Sequence, residues 1–199
     1  MQSRKYLPEE EAKMAEFISF ASDVEVVGEV IAAFVAGFPT GTERLGLQIL
    51  EKHGIDDPQQ GEWYPLQQFL DAMKEISDRI GSHILTRIGE QIAANAKLPP
   101  GLDSLEKCLA SVDTAFHMNH RAGEIGHYHY SDEGTQGGLR RAKMVCPNPY
   151  PCAFDQGVID GFAGRFKPAD AEGVVVRHDD SQPCRRKGDE SCTYLIAWG

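Results

Sequence analysis

The sequence has no apolar run long enough to cross a bilayer. Its longest, over 24–38, is broken by Glu25, Gly28, Glu29 and Gly37, whereas a spanning helix needs about 20 apolar residues in a row. The N-terminus, Met-Gln-Ser-Arg-Lys-Tyr-Leu-Pro-Glu-Glu-Glu, crowds charges where an export signal needs apolar residues. Basic residues are scarce: 20 Lys and Arg stand against 30 Asp and Glu, a net charge of -10. Nucleic acid and anionic membrane surfaces are bound through an excess of Lys and Arg, so neither is expected as a partner. Without an export signal the expected location is cytoplasmic, and the five cysteines are expected as thiols rather than disulfides. Also missing are a phosphate-cradling glycine loop, a nucleophile elbow and the H-E-x-x-H helix motif. No catalytic residue is assigned, and a binding role is preferred to an enzymatic one.

What is present is the composition of an ordinary globular chain, 41% apolar and 25% charged over 199 residues. That length buries a core without covalent staples. Apolar residues at helical spacing predict helices over 8–21, 24–35, 42–53, 65–80, 84–96 and 103–120. Asp103 with Glu106 resembles a capping box. After Gly123 the pattern changes. Strands are expected over 125–130, 139–145, 173–177 and 193–198, and a helix over 151–166. The sum is an α+β fold, an N-terminal helical half packed with a small, mainly antiparallel sheet and a covering helix. Residues 1–60 are expected as a helical extension and 61–199 as a ligand-binding domain.

Four of the five cysteines form the pattern Cys146-x5-Cys152, 31 residues, Cys184-x7-Cys192. Two thiol pairs separated by a long gap are how tetrahedral thiolate sites are assembled. Pro147, Pro149 and Pro151 stiffen the first pair's loop. Cys152 opens the expected last helix, where the helix dipole favours a thiolate. Cys184 and Cys192 flank a turn at Gly188-Asp189, and their even separation would let paired strands aim both sulfurs to one side. The residue-level reading is a four-cysteine metal site, with zinc as the default and an iron–sulfur cluster as the alternative. The plainer reading is four small buried residues. Cys108, on the apolar face of a helix, is read as core.

His117, His120, His127 and His129 fall within thirteen residues. They could serve a second metal, a haem or acid–base chemistry, although histidines at a helix end and on a half-exposed strand are the preferred reading. His127, Tyr128, His129 and Tyr130 are the candidates to line a small-ligand pocket.

The stretch Pro149-Tyr-Pro-Cys-Ala-Phe-Asp-Gln-Gly-Val-Ile-Asp-Gly-Phe-Ala, followed by Cys184-Arg-Arg-Lys-Gly-Asp-Glu-Ser-Cys-Thr-Tyr-Leu-Ile-Ala-Trp, resembles the 4-vinyl reductase domain family. The spaced glycines Gly157, Gly161 and Gly164 belong to the same likeness. The resemblance implies a small-molecule-binding α/β module in one superfamily with the haem–nitric-oxide-binding domain and the TRAPP vesicle-tethering subunits. It further implies a small hydrophobic or aromatic ligand, phenol-like in aromatic-sensing regulators, beside a structural zinc, and a homodimer. By similarity Cys184 and Cys192 are zinc ligands, with Cys152 or Cys146 as another. The family's acidic ligand three residues before Cys184 is here Ser181, so the extra cysteine, His178 or Asp179 would stand in. The Tyr-x-Ser-x-Arg signature of the haem-binding relatives is missing. The leading expectation is a sensor-type ligand-binding domain with a structural four-cysteine zinc site. The alternatives are an iron–sulfur or other redox protein reducing a small hydrophobic substrate, and a protein-interaction subunit.

Overall fold

Leu66, Phe69, Leu70, Met73 and Ile76 recur at the helical period and all are buried, which places α3 (Leu66–Ile80) against the core. The computed structural model describes residues 14–199. Four further helices accompany α3 in the first two thirds of the chain. They are α1 (Gly28–Ala36), α2 (Glu43–Lys52), α4 (His83–Asn95) and α5 (Leu105–Asn119). The α5 N-cap is Ser104, whose side chain accepts the Lys107 amide, so the cap lies one residue beyond the expected Asp103.

Two sheets complete the frame. In the small one, β1 (Glu25–Val27) lies between β2 (Trp63–Pro65) and β3 (His120–Arg121). The larger sheet has the order β4-β5-β7-β6, antiparallel throughout, from β4 (His129–Gln136), β5 (Leu139–Cys146), β6 (Val174–His178) and β7 (Cys192–Trp198). Alternate residues of β5 (Ala142, Met144, Cys146) and of β7 (Cys192, Tyr194, Ile196, Trp198) face the core. The mixed α+β architecture is the one the sequence predicts.

The last helix, α6 (Cys152–Arg165), packs on the sheet and also against α4. The two helices touch backbone to backbone. A Cβ built on Gly157 would sit 2.0 Å from the Thr86 carbonyl oxygen, and one on Gly161 2.6 Å from that of Glu90. Glycine is what permits this crossing. Because α6 is enclosed from several sides, Phe154, Val158, Ile159, Phe162 and Ala163 are all buried.

Three expectations change. The helix expected over 8–21 lies partly outside the described residues. Over 14–21 the chain is not helical, because its amides are spent elsewhere: Ala15 donates to the Arg185 carbonyl at 2.9 Å and Phe17 to that of Pro149 at 3.0 Å. The strand expected over 125–130 begins only at His129 and continues to Gln136, with a bulge between Asp132 and Gly134. Residues 25–27, expected to open the helix over 24–35, instead form β1, in which Val26 and Val27 pair with Tyr64 and Trp63 of β2. That pairing joins the two sides of the boundary expected at residue 60. Among the described residues no helix is long and apolar enough to cross a membrane.

Candidate metal centre and adjoining groove

Four residues from four elements meet at one corner. Cys152 opens α6, Cys192 opens β7, Cys184 precedes a single 3-10 turn at Arg185–Lys187, and His178 ends β6. The sulfur of Cys152 lies 2.9 Å from that of Cys192 and 3.6 Å from that of Cys184, and the Cys184 and Cys192 sulfurs are 4.0 Å apart. With a ring nitrogen of His178, these four donors all fall within 4.8 Å of one another. A tetrahedral ion with bonds of about 2.3 Å to sulfur has sulfur–sulfur edges of about 3.8 Å. Two of the three edges are near that value, and the third is shorter.

His178 is prepared as a ligand. Its Nδ1 lies 2.9 Å from a carboxylate oxygen of Asp180. With the proton on that nitrogen, Nε2 presents a lone pair, and Nε2 is buried without a hydrogen-bond partner. Backbone geometry supports the sulfurs too. The Arg185 amide donates to Cys192 Sγ at 3.5 Å, and the turn closes through Lys187 N–H to the Cys184 carbonyl at 2.8 Å. Gly188 ends that turn at φ 94°, a left-handed conformation that favours glycine.

Contact with Cys192, burial and the Glu16 carboxylate push the Cys152 thiol well above its ordinary value. Burial, then Cys152, raises that of Cys184. Three packed sulfurs cannot all ionise without a countercharge, and this outweighs the helix-dipole effect expected at Cys152. The three thiols and the imidazole are a donor set that could hold a metal ion.

Cys146 stands apart. It pairs with Cys192 across β5 and β7, yet its sulfur is not among the clustered donors. Cys192 turns toward the start of α6, while Cys146 faces the interior, where burial and Asp155 raise its thiol. Cys184 is not on a strand, so the even-spacing argument does not explain its position; the tight turn does. Cys108 is fully buried in the core, as read.

A buried polar layer backs the corner. The Asp155 carboxylate, 0% exposed, accepts from the Tyr128 hydroxyl at 2.5 Å and from Asn148 Nδ2 at 3.3 Å. Burial drives the Asp155 pKa up to about 8, partly offset by those hydrogen bonds. Glu16 accepts the Cys152 amide at 2.8 Å. The Arg185 guanidinium donates to the carbonyls of Ala15 and Glu190 and lies over the Phe20 ring at 4.7 Å. Glu16, Asn148 and Asp155 were not singled out from sequence; only folding makes them neighbours. Beside them lies an open groove of about 700 Å³, walled by Met14, Ile18, Phe20, His127, Pro147 and Arg185.

The four ligand candidates separate. His127 borders the groove. Tyr128 is buried on Asp155, and the Tyr130 hydroxyl is buried without a partner. His129 stacks on His127 with ring centroids 5.0 Å apart. His117 joins His127 at the surface, their ring centroids 4.9 Å apart, while His120 is buried elsewhere.

No family model matches the chain, and no curated protein matches it. Solved structures do. An H-NOX protein from S. oneidensis, in the Fe(II)NO ligation state, superposes with a TM-score of 0.64 at 13% identity, over 87% of this chain and 99% of that one. An oxygen-binding H-NOX domain related to soluble guanylate cyclases gives 0.56 at 14% identity, over 86% and 94%. A structure titled for heme redox potential and porphyrin distortion gives 0.56 at 12%, over 85% and 98%. At these identities the likeness is one of fold. It agrees with the fold that the resemblance implied. It corrects the cofactor expectation: the centres named for these neighbours are Fe(II) and heme, not zinc or an iron–sulfur cluster.

Haem itself does not fit the residues present. The space between helices and sheet is filled by Phe34, Phe69, Phe116, Tyr150 and Phe154, whose neighbouring rings stand 5.0 to 6.4 Å apart. His120, the buried histidine among the described residues, has both nitrogens engaged, Nδ1 with the Phe116 carbonyl and Nε2 with the Tyr150 hydroxyl, each at 2.8 Å. Burial holds its pKa down at about 4. Among the described residues no histidine nitrogen is free in that interior to serve as an axial ligand.

Proposed function

We propose that this chain is a sensor-type binding domain for a small hydrophobic or aromatic molecule, its binding groove fixed in place by a structural metal ion. Cys152, Cys184, Cys192 and His178 hold a thiophilic transition-metal cation. The observation that carries the reading is the unpartnered, buried Nε2 of His178 beside three clustered sulfurs, its other nitrogen anchored on Asp180. The ion ties β6, β7 and α6 together at one point.

The same corner holds the groove. The segment carrying Met14, Ile18 and Phe20 is bound to it through Ala15 with Arg185, Glu16 with Cys152, and Phe17 with Pro149. Met14, Ile18 and Phe20 are each about 40% exposed, at 42%, 45% and 39%, which offers apolar surface to a ligand. His127 and Arg185 supply polar contacts at the rim. The ligand enters at the surface because the interior is already filled. The homodimer remains part of this proposal, and the binding unit reaches beyond 61–199 to take in the segment that carries Met14, Ile18 and Phe20.

Titration of the metal-loaded protein with phenol, followed by amide NMR, tests the reading. Shifts centred on Ile18, Phe20 and His127, lost when the metal is stripped by chelation, are the expected result. Shifts that persist unchanged without metal, or their absence throughout the groove, contradict it.

A further inference from the structure

A second cluster of side chains able to hold a metal shares His127 with the rim of the groove. Asp113 and His117 share a face of α5, four residues apart. The loop before β4 brings His127 onto the same carboxylate. Nδ1 of His127 lies 3.5 Å from Asp113 Oδ1, and Nδ1 of His117 lies 3.6 Å from it. All three donors fall within 4.8 Å of one another. We propose that Asp113, His117 and His127 form a solvent-open site for a divalent transition-metal cation that prefers imidazole ligands.

The distances suit that role. A tetrahedral ion with bonds of about 2.1 Å to nitrogen and oxygen has ligand–ligand edges of about 3.4 Å. The carboxylate is aimed by a hydrogen bond, since Asp113 Oδ1 accepts the Tyr128 amide at 2.7 Å. Such outer contacts are what orient a metal-binding carboxylate. The rings are held as well: His129 stacks on His127 at an interplanar angle of 16°, and the His117 ring lies beside it. A single surface ion pair would explain one histidine on Asp113, but not two whose Nδ1 atoms converge on the same oxygen.

His117 Nδ1 also lies 2.9 Å from the Asp113 carbonyl. Binding an ion at Nδ1 selects the tautomer with the proton on Nε2, so this contact is given up on uptake. The three side chains are between 34% and 43% exposed, which leaves positions for water. The net charge of -10 favours cation approach. This site shares no ligand with the cysteine corner, and the proposal stands without it.

Ni²⁺ titration of the full chain, by calorimetry with paramagnetic broadening of amide signals, is the test. Broadening centred on His117, His127 and Tyr128 is expected, and Cys184→Ser leaves it in place. Asp113→Asn keeps an acceptor for the Tyr128 amide yet weakens Ni²⁺ binding there by more than about tenfold, as does His117→Ala. Neither residue borders the groove, so phenol binding is retained in both variants. Wild-type Ni²⁺ affinity in both variants, or broadening confined to the cysteine corner, overturns the proposal.

Discussion

In the helical half the fully buried side chains include Phe34, Phe69, Leu70 and Ile88, all of them part of one apolar core. At the corner where α6 meets β7 they include Asn148, Asp155 and Cys192. The first region is held by close packing, which weakens by degrees as atoms are removed. The second is held by groups that must each find a partner, because an unpaired buried polar group costs far more than a pair contributes. The same chain thus contains a region that responds to volume and a region that responds to charge and protons.

Phe69→Ala sharpens this contrast most. It removes a ring packed edge-on against Phe34 at 5.0 Å, so a loss of about 4 kcal/mol is expected. The loss should be the same with and without chelator in denaturant titrations. A chelator-dependent loss would show that the two regions are not separate.

Gly157→Ala strikes the seam between them. The new methyl meets the Thr86 carbonyl oxygen, 2.0 Å from an ideal Cβ, and that oxygen belongs to helix backbone that cannot swing away. A loss of about 2 kcal/mol or more is expected, with α4 and α6 moved apart. Gly164→Ala, where a Cβ meets nothing within 4 Å, is the control and should be neutral or slightly stabilising.

Asp155→Asn gives the smallest effect at any single pH and the most specific one. The folded pKa of about 8 lies above the ordinary 3.8. Asp155 therefore contributes stability that is complete below about 3.8 and is lost as pH rises toward 8. His120, held down at about 4, acts oppositely: its contribution is complete above about 6.5 and is lost as pH falls toward 4. Between pH 4 and 6.5 the two trends offset each other. From 6.5 to 8 the Asp155 trend is no longer offset by His120, and stability should fall by up to about 1.4 kcal/mol per pH unit. Asp155→Asn should flatten that limb, and an equal slope in wild type and variant would refute the assignment.

Much of the fold is written in local patterns. The period of Leu66, Phe69, Leu70, Met73 and Ile76 marks α3, and alternation along β5 and β7 marks the sheet. What escaped is decided by partners far away in sequence. Segment 14–21 has helical spacing but gives its amides to Pro149 and Arg185. Glu16 and Asp155 carry no pattern that marks them until Cys152 and Tyr128 arrive beside them. For the cysteines, sequence indicated convergence but not which sulfurs converge. Cys146 and Cys192 pair across β5 and β7, yet of the two only the Cys192 sulfur lies against that of Cys152. His178, named only as a stand-in for Ser181, is distinguished by the carboxylate that fixes its ring.

The decisive measurement is the visible and near-ultraviolet spectrum of the Co²⁺-loaded protein, compared across single variants. The account predicts sulfur-to-cobalt charge transfer and tetrahedral ligand-field bands in wild type and in Cys146→Ser. The charge-transfer band should weaken in Cys152→Ser, Cys184→Ser and Cys192→Ser, and the ligand-field bands should shift in His178→Ala. A spectrum that changes with Cys146→Ser and ignores His178→Ala would contradict it.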